Sequence, residues 1–367
     1  MKVCHMTSVH SSFDIIIFSK ECISLSKHGF DTCLVSQGES RIDNGVNVIG
    51  VGSAPKGRLA RILFFTKCIY KNALATNADI YHIHDPELLP YTKRLKMKGK
   101  RVIFDSHEDI LNQVNDKEWI PAFLRKIIGR CLKIYYQKIL KRIDVLISVT
   151  PHIVDELKEI NINTYQITNY PIVSSRMKEK TESSDNFVLC FTGGINKQWN
   201  HINILKAIEN INDVKYAICG QTTDDCINLM SKYPSWNKVD YRGDISHHEA
   251  ISLQLNSNCG MALLQPSENT KFNFGTIGNT KLFEYMLTGL PIICSDFILW
   301  KEIVDKYSCG LYVDPLNIKA ITEAILYLKN NPTEARAMGE AGRNAVENEY
   351  NWESQEMNLL KIYKEVI

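Results

Sequence analysis

Along the 367 residues, short apolar runs bounded by turn residues alternate with longer stretches whose apolar positions recur at helical spacing. In the first half the runs predict strands at 2–6, 31–36, 46–50, 79–83, 101–105, 144–148 and 164–167. Helical spacing fits 15–28, 57–76, 87–98, 118–142 and 151–160. In the second half strands fit 187–192, 214–219, 237–241, 259–264, 291–295 and 310–313, with helices between them. Strand and helix in strict alternation predict parallel sheets covered by helices. The fold class expected is α/β, with two Rossmann-like, doubly wound parallel-sheet domains facing across a cleft. Their expected limits are 1–172 and 173–350, with a tail helix over 351–367 packing back on the first. The segment from Arg176 to Asn186 is polar, charged and aperiodic, and reads as a linker.

Open α/β sheets bind ligands beyond the carboxyl ends of their strands. The loops to inspect are therefore Thr7–Asp14, His84–Glu87, Asp105–Asp109, Thr192–Gly194, Gly220–Gln221 and the segment from Gly275. Gly275 to Asp296 reads GTIGNTKLFEYMLTGLPIICSD, a polar turn, a helix and a buried strand. Lys281 and Glu284 stand three residues apart, on one helix face. The unpaired N–H groups of a helix start favour anions, so Asn279, Thr280, Lys281 and Leu282 form a candidate phosphate-binding turn. Glu284 can accept hydrogen bonds from paired sugar hydroxyls, and the two together suit a nucleoside diphosphate. The plainer role for Glu284 is a helix cap. A capping box needs Ser or Thr three residues earlier, where this chain has Lys281.

Charge adds an asymmetry to this picture. The net charge of +2 conceals a basic first half: residues 1–180 hold 27 Lys and Arg against 18 Asp and Glu, leaving 16 against 23 for the rest. Basic, acid-poor stretches run from Lys56 to Lys71, Tyr91 to Arg101 and Lys117 to Arg142, the last interleaved with apolar and aromatic residues. These read either as solvated helix faces or as surfaces for anionic lipid, and the expectation is membrane association. No aromatic-interleaved nucleic-acid module accompanies them, so nucleic acid is not an expected partner. The start of the chain reads as a strand rather than a signal peptide, and no apolar run reaches membrane-spanning length. Eleven cysteines without CxxC spacing point to reduced thiols and a cytoplasmic setting. His82 and His84 alternate onto one strand face without further ligands at metal spacing, so no metal is expected. Gly50-Val51-Gly52 follows a strand, but Pro55 occupies the third glycine position of a dinucleotide fingerprint.

Several motifs, in order, resemble the GT-B glycosyltransferases of the large retaining family called GT4, and bacterial enzymes of surface-polysaccharide assembly within it. Thr7 to Ser36 is similar to a subfamily opening of the form HxxxDxRIFxKExxxLxxxG. HIHDPELLP (His82–Pro90), FDSHED (Phe104–Asp109), ITNYP (Ile167–Pro171), FTGGINK (Phe191–Lys197) and NTKLFEYMLTGLPIICSD (Asn279–Asp296) follow. The resemblance implies that Glu284 is the second glutamate of an E-x7-E motif and binds the nucleotide ribose. It places Lys281 and Lys197 near the donor diphosphate, and Gly193, Gly194 and Gly220 in loops approached by the phosphates. It makes His107 the residue reaching the donor sugar and leaving group. His10, Asp14, His84, Asp85 and Glu108 fall on the acceptor side.

The chain departs from this pattern at three points. Thr276 stands where the first glutamate would be, with Glu268 and Asn273 nearby; Trp199, Asn200 and His201 fill the stretch of a common arginine; Ile16 replaces the arginine of DxRIF. What the resemblance implies is metal-independent hexosyl transfer with retention. The donor would be a UDP- or GDP-sugar and the acceptor a lipid-linked saccharide on the cytoplasmic face of the inner membrane. A non-catalytic nucleotide-sugar or lipid-binding partner of an assembly complex, and a GT-B nucleotide-sugar epimerase, are the alternatives.

Overall fold

The computed structural model describes residues 1–106, 110–111, 122–173 and 185–366. The segment from Arg176 to Asn186 falls almost wholly outside them. Two compact units are present, one of Met1–Asn169 with Trp352–Ile367 and one of Tyr170–Asn351.

The first unit contains β1 (Lys2–Ser11), β2 (Asp31–Gln37), β3 (Arg41–Asp43), β4 (Val46–Gly50), β5 (Ile80–Ile83), β6 (Arg101–Ser106), β7 (Val145–Ser148) and β8 (Thr164–Gln166). Their order is β3-β4-β2-β1-β5-β6-β7-β8, parallel except for the short β3 hairpin partner of β4. Such strands are buried on both faces, which is why β5 and β7 read as unbroken buried runs. β3 is additional to the expected strands, and β1 is longer than expected. β1 continues past residue 6 to Ser11, and its pairing with β2 is irregular between Met6 and Ser11. There the Asp85 carboxylate takes the backbone N–H groups of Ser8 and Val9, a side chain standing in for a neighbouring strand.

Helices cover both faces of this sheet. Arg58–Ala75 is one continuous helical run with a π segment at Arg61–Phe65. The long basic helix spans Ala122–Leu140. The terminal helix Trp352–Val366 packs into the first unit, where Trp352, Leu359 and Tyr363 join Val3, Leu25, Ile80 and Ile103 in one buried cluster. Lys20, itself buried, donates to the carbonyl of Asn169 at 3.4 Å and to its side chain, and lies over the Trp352 ring.

The second unit contains β9 (Phe187–Thr192), β10 (Val214–Cys219), β11 (Val239–Tyr241), β12 (Cys259–Ala262), β13 (Ile292–Ser295) and β14 (Gly310–Val313). The order β11-β10-β9-β12-β13-β14 is wholly parallel. In each sheet the strand order reverses beside the unit's first strand, between β1 and β5 and between β9 and β12. Loops leaving those strands splay apart and open a crevice. All eleven cysteines are free thiols.

Candidate functional site

In the second unit the crevice at the end of β9 is built from glycines. Gly193 has φ of +122° and Gly220 +131°, a region open to glycine. The Gly193 N–H donates to Cys219 O at 2.9 Å, and Gly220 packs so closely that an added Cβ would meet Gly193 O at 2.2 Å. Gly194 faces open space. A buried polar chain fixes this end of the strand. Tyr285 Oη accepts from the Thr192 N–H at 3.1 Å, and Gln254 Nε2 donates to Thr192 Oγ1 at 2.8 Å.

The helix Lys281–Leu287 begins beside this loop. Its amphipathic register sends Leu282, Phe283 and Tyr285 into the core and turns Lys281 and Glu284 toward a pocket of about 350 Å³. Gly193, Gly194, Gly220, His247, Thr280, Lys281 and Glu284 are among its lining residues. Lys281 Nζ lies 4.7 Å from the Trp199 ring centroid and 5.3 Å from that of Phe191. Among the described residues no hydrogen bond or ion pair reaches this ammonium. Burial lowers its pKa below the usual value, and Glu284 opposes that shift. Glu284 Oε1 is 3.8 Å from His247 Nε2. No side-chain cap closes this helix, consistent with the failed capping box. A larger pocket of about 740 Å³ shares Gly194 and Gln221 and takes in Lys197, which stands exposed on a short 3-10 turn.

The expected donor residues thus separate into three groups. Gly193, Gly194, Gly220, Thr280, Lys281 and Glu284 meet in one pocket, and Lys197 lines its neighbour. Asn279 shapes the helix start, its Oδ1 accepting from the Lys281 N–H at 3.1 Å. Leu282 buries its side chain wholly in the core, so only its backbone N–H at the helix start is left to serve the expected phosphate-binding turn. Thr276, half-buried, accepts at its hydroxyl from the Gly278 N–H at 3.1 Å, while its carbonyl takes Trp300 Nε1 at 2.7 Å. Asp244 and His247 are charged or titratable lining residues that escaped the sequence reading. Their signal was available, since GDISHHEA follows β11 and carries the capping box of Ser246 and Glu249.

In the first unit His10, Asp14 and Asp85 converge at the β1–β5 crevice. His10 Nδ1 is 2.9 Å from Asp14 Oδ2, and its Nε2 is 3.7 Å from Asp85 Oδ1. Burial pulls the His10 pKa down, but the Asp14 hydrogen bond and the charges of Asp14, Asp85 and Asp105 outweigh it and leave it raised. Burial likewise pushes Asp14 up and is outweighed by His10 and the Ile17 N–H, leaving it lowered. Asp14 also caps the first helix through the N–H groups of Ile16 and Ile17. Asp85, buried, accepts from Thr7 Oγ1 at 2.9 Å and shapes the loop from within. His84 is corrected too. It is buried and turned to His5, so it offers an acceptor no surface. The expected His107 and Glu108 lie outside the described residues.

Comparison with known proteins gives the same architecture for both units. Residues 174–345 match the model described as "Glycosyl transferases group 1", and residues 22–168 match "Glycosyltransferase Family 4". The two matches fall one on each unit, and the fold is that of the GT-B glycosyltransferases. It is 20% identical over 293 residues to an uncharacterized glycosyltransferase of Methanocaldococcus jannaschii, covering 75% of this chain and 70% of that protein. Among solved structures, sucrose-phosphate synthase from Thermosynechococcus elongatus is similar with a TM-score of 0.77 at 14% identity, covering 100% of this chain and 98% of that one. A Rickettsia africae glycosyltransferase gives 0.74 at 17% identity, over 100% and 98% of the two chains. Anabaena HepE in complex with UDP and glucose gives 0.73 at 12% identity, covering both chains in full. No described helix is long and apolar enough to cross a membrane.

Proposed function

We propose that this GT-B protein transfers a hexosyl unit from a UDP- or GDP-sugar to a lipid-linked saccharide, with retention, in bacterial surface-polysaccharide synthesis. The observation that carries this reading is the unpartnered Lys281 ammonium beside the Gly193 loop, with Glu284 in the same pocket. As the sugar departs, negative charge gathers on the diphosphate. Lys281, the loop amides and Lys197 stabilise it electrostatically, without a metal at the phosphates. Glu284 holds the ribose hydroxyls. The acceptor attacks from the face the diphosphate leaves, and the diphosphate takes its proton, with His107 orienting the sugar. His10, its pKa raised by the Asp14 hydrogen bond and charge against the pull of burial, marks the acceptor side. The similarity to HepE with UDP and glucose, and to a trehalose-6-phosphate protein bound with UDP-2-fluoro glucose, favours a UDP-sugar donor.

The membrane part of the reading rests on the first unit. Leu59, Leu63 and Phe64 are 76, 63 and 71% exposed among Arg58, Arg61 and Lys67, and Ile127, Ile134 and Tyr135 stand exposed on the basic helix Ala122–Leu140. A water-facing helix with both apolar and basic side chains suits the boundary of an anionic leaflet, here the cytoplasmic face of the inner membrane. The test is a screen of UDP- and GDP-sugars with membrane lipid extract, following nucleoside diphosphate release and labelled lipid. One donor should give acceptor-dependent release. Glu284→Ala should lower kcat/KM by roughly 10- to 150-fold, the worth of a charge-assisted hydrogen-bonding group. Thr276 in place of the first glutamate favours a second reading, a nucleotide-sugar binder without turnover. Nucleotide binding with no product from any donor would select it.

A further inference from the structure

A second cluster of chemistry-bearing side chains lies inside the first unit, apart from the nucleotide pocket. Parallel pairing sets His5 of β1 directly beside His82 of β5. His84, two residues on, falls on the same face by strand alternation. The π-helical run Ile15–Cys22 brings Glu21 to them. Along the chain no further ligands stand at metal spacing from His82 and His84. The missing ligands come from two other elements.

All four side chains are sealed from solvent, and one donor atom from each lies within 4.8 Å of the others. His5 Nδ1 and His84 Nε2 are 2.9 Å apart. Glu21 Oε2 is 3.7 Å from each of these nitrogens and 3.8 Å from His82 Nδ1. A tetrahedral zinc ion with bonds of about 2.0–2.2 Å separates its ligands by roughly 3.3–3.5 Å, within the range seen here. No described residue donates a hydrogen bond to Glu21 Oε2. A carboxylate oxygen buried without a donor is costly, and a cation is the partner that three imidazoles can share with it. The surroundings supply an outer layer of the kind that orients ligating histidines. Tyr363 Oη lies 3.4 Å from His5 Nε2, and Asp105 Oδ2 lies 3.8 Å from His84 Nδ1, each on the ring nitrogen away from the proposed ion; Tyr363 Oη also lies 2.7 Å from His82 Nδ1, a contact that ligation by that nitrogen would replace. Two carboxylates, Glu21 and Asp105, match the charge of a divalent ion.

We infer that His5, Glu21, His82 and His84 form a closed structural site for one divalent transition-metal ion, zinc foremost. Four protein ligands leave no position for substrate, so the ion ties β1, β5 and the first helix together, with the terminal helix held through Tyr363. Such a site loads as the chain folds and contributes directly to stability.

The test uses the full chain, expressed in zinc- or cobalt-supplemented medium and dialysed against a mild chelator. Metal analysis should find about one ion per chain, and the cobalt form should show the visible bands of tetrahedral Co²⁺. Glu21→Gln, close in shape, should lose both the ion and the bands while circular dichroism reports a folded chain. His82→Gln is the second variant should Glu21→Gln not fold. His10→Asn, outside the cluster, should keep the ion. Wild-type protein with only trace metal and no cobalt bands would overturn the inference and leave a hydrogen-bonded histidine cluster. Unchanged metal content in both cluster variants would also overturn it, by placing the ion elsewhere.

Discussion

Gly193→Ala tests the geometry of the phosphate loop. A Cβ at residue 193 would lie 2.5 Å from Lys281 Nζ and 2.7 Å from its Cε, both at the far end of a flexible side chain. Lys281 is expected to swing aside while the loop holds. The φ of +122° adds backbone strain, of order 1–3 kcal/mol for a residue with a side chain. Losing one charge-assisted contact to a phosphate removes about 1.5–3 kcal/mol, roughly 10- to 150-fold in Kd. Gly220→Ala provides the contrast. Its Cβ would meet Gly193 O at 2.2 Å and the carbonyl carbon at 2.5 Å, backbone atoms that cannot swing away. Strain and overpacking there add to about 2–6 kcal/mol. Calorimetric titration with UDP and GDP, alongside urea unfolding, separates the two effects. Gly193→Ala should lose nucleotide affinity with a modest stability loss, and Gly220→Ala should lose stability first. Wild-type affinity in Gly193→Ala, or a stability loss equal to that of Gly220→Ala, would refute the argument.

Other expectations follow from the same contacts. Tyr285→Phe leaves the buried Thr192 N–H without its 3.1 Å acceptor, and urea unfolding should show a loss of about 1–3 kcal/mol. The raised pKa of His10 means its stabilisation is complete below the unfolded value of 6.5 and is lost as pH rises through the folded one. Asp14, lowered, contributes above its unfolded 3.8 and stops contributing as pH falls through its folded value. The gap in unfolding midpoint between wild type and His10→Asn should therefore be widest between those two unfolded values and shrink above neutrality. Its size should stay under about 1 kcal/mol, because the pair is partly solvated; a flat gap across pH would contradict the pairing. Leu63→Asp with Phe64→Asp should leave stability within about 0.5 kcal/mol yet cut sedimentation with anionic vesicles at least tenfold. Undiminished sedimentation would remove this helix from the proposed membrane surface.

Much of the frame was present in the order of residues. The strands 187–192, 214–219 and 310–313 run over the residues the sequence predicts, and for the central 187–192 and 214–219 the reason is that a strand covered on both faces needs a largely apolar run and little else reads that way. The pocket was legible where glycines and a helix start follow strands: Gly193, Gly220, Lys281 and Glu284 were all visible as chemistry at strand ends. Leu282 belongs to that helix start through its backbone N–H alone, since its side chain faces the core. A linear reading could not see that Asp85 would replace strand pairing for Ser8 and Val9, since 76 or more residues separate donor from acceptor.

The sequence by itself determined which segments are strands and helices, because burial periodicity is a local property of the chain. It also determined where chemistry gathers, because parallel α/β sheets gather it at strand ends. Tertiary structure alone decided which of those groups touch. Strand order put His5 beside His82, the first helix brought Glu21 to them, and the loop after β11 carried His247 to Glu284. Those meetings depend on crossovers and helix packing that join distant residues, and no local pattern records them.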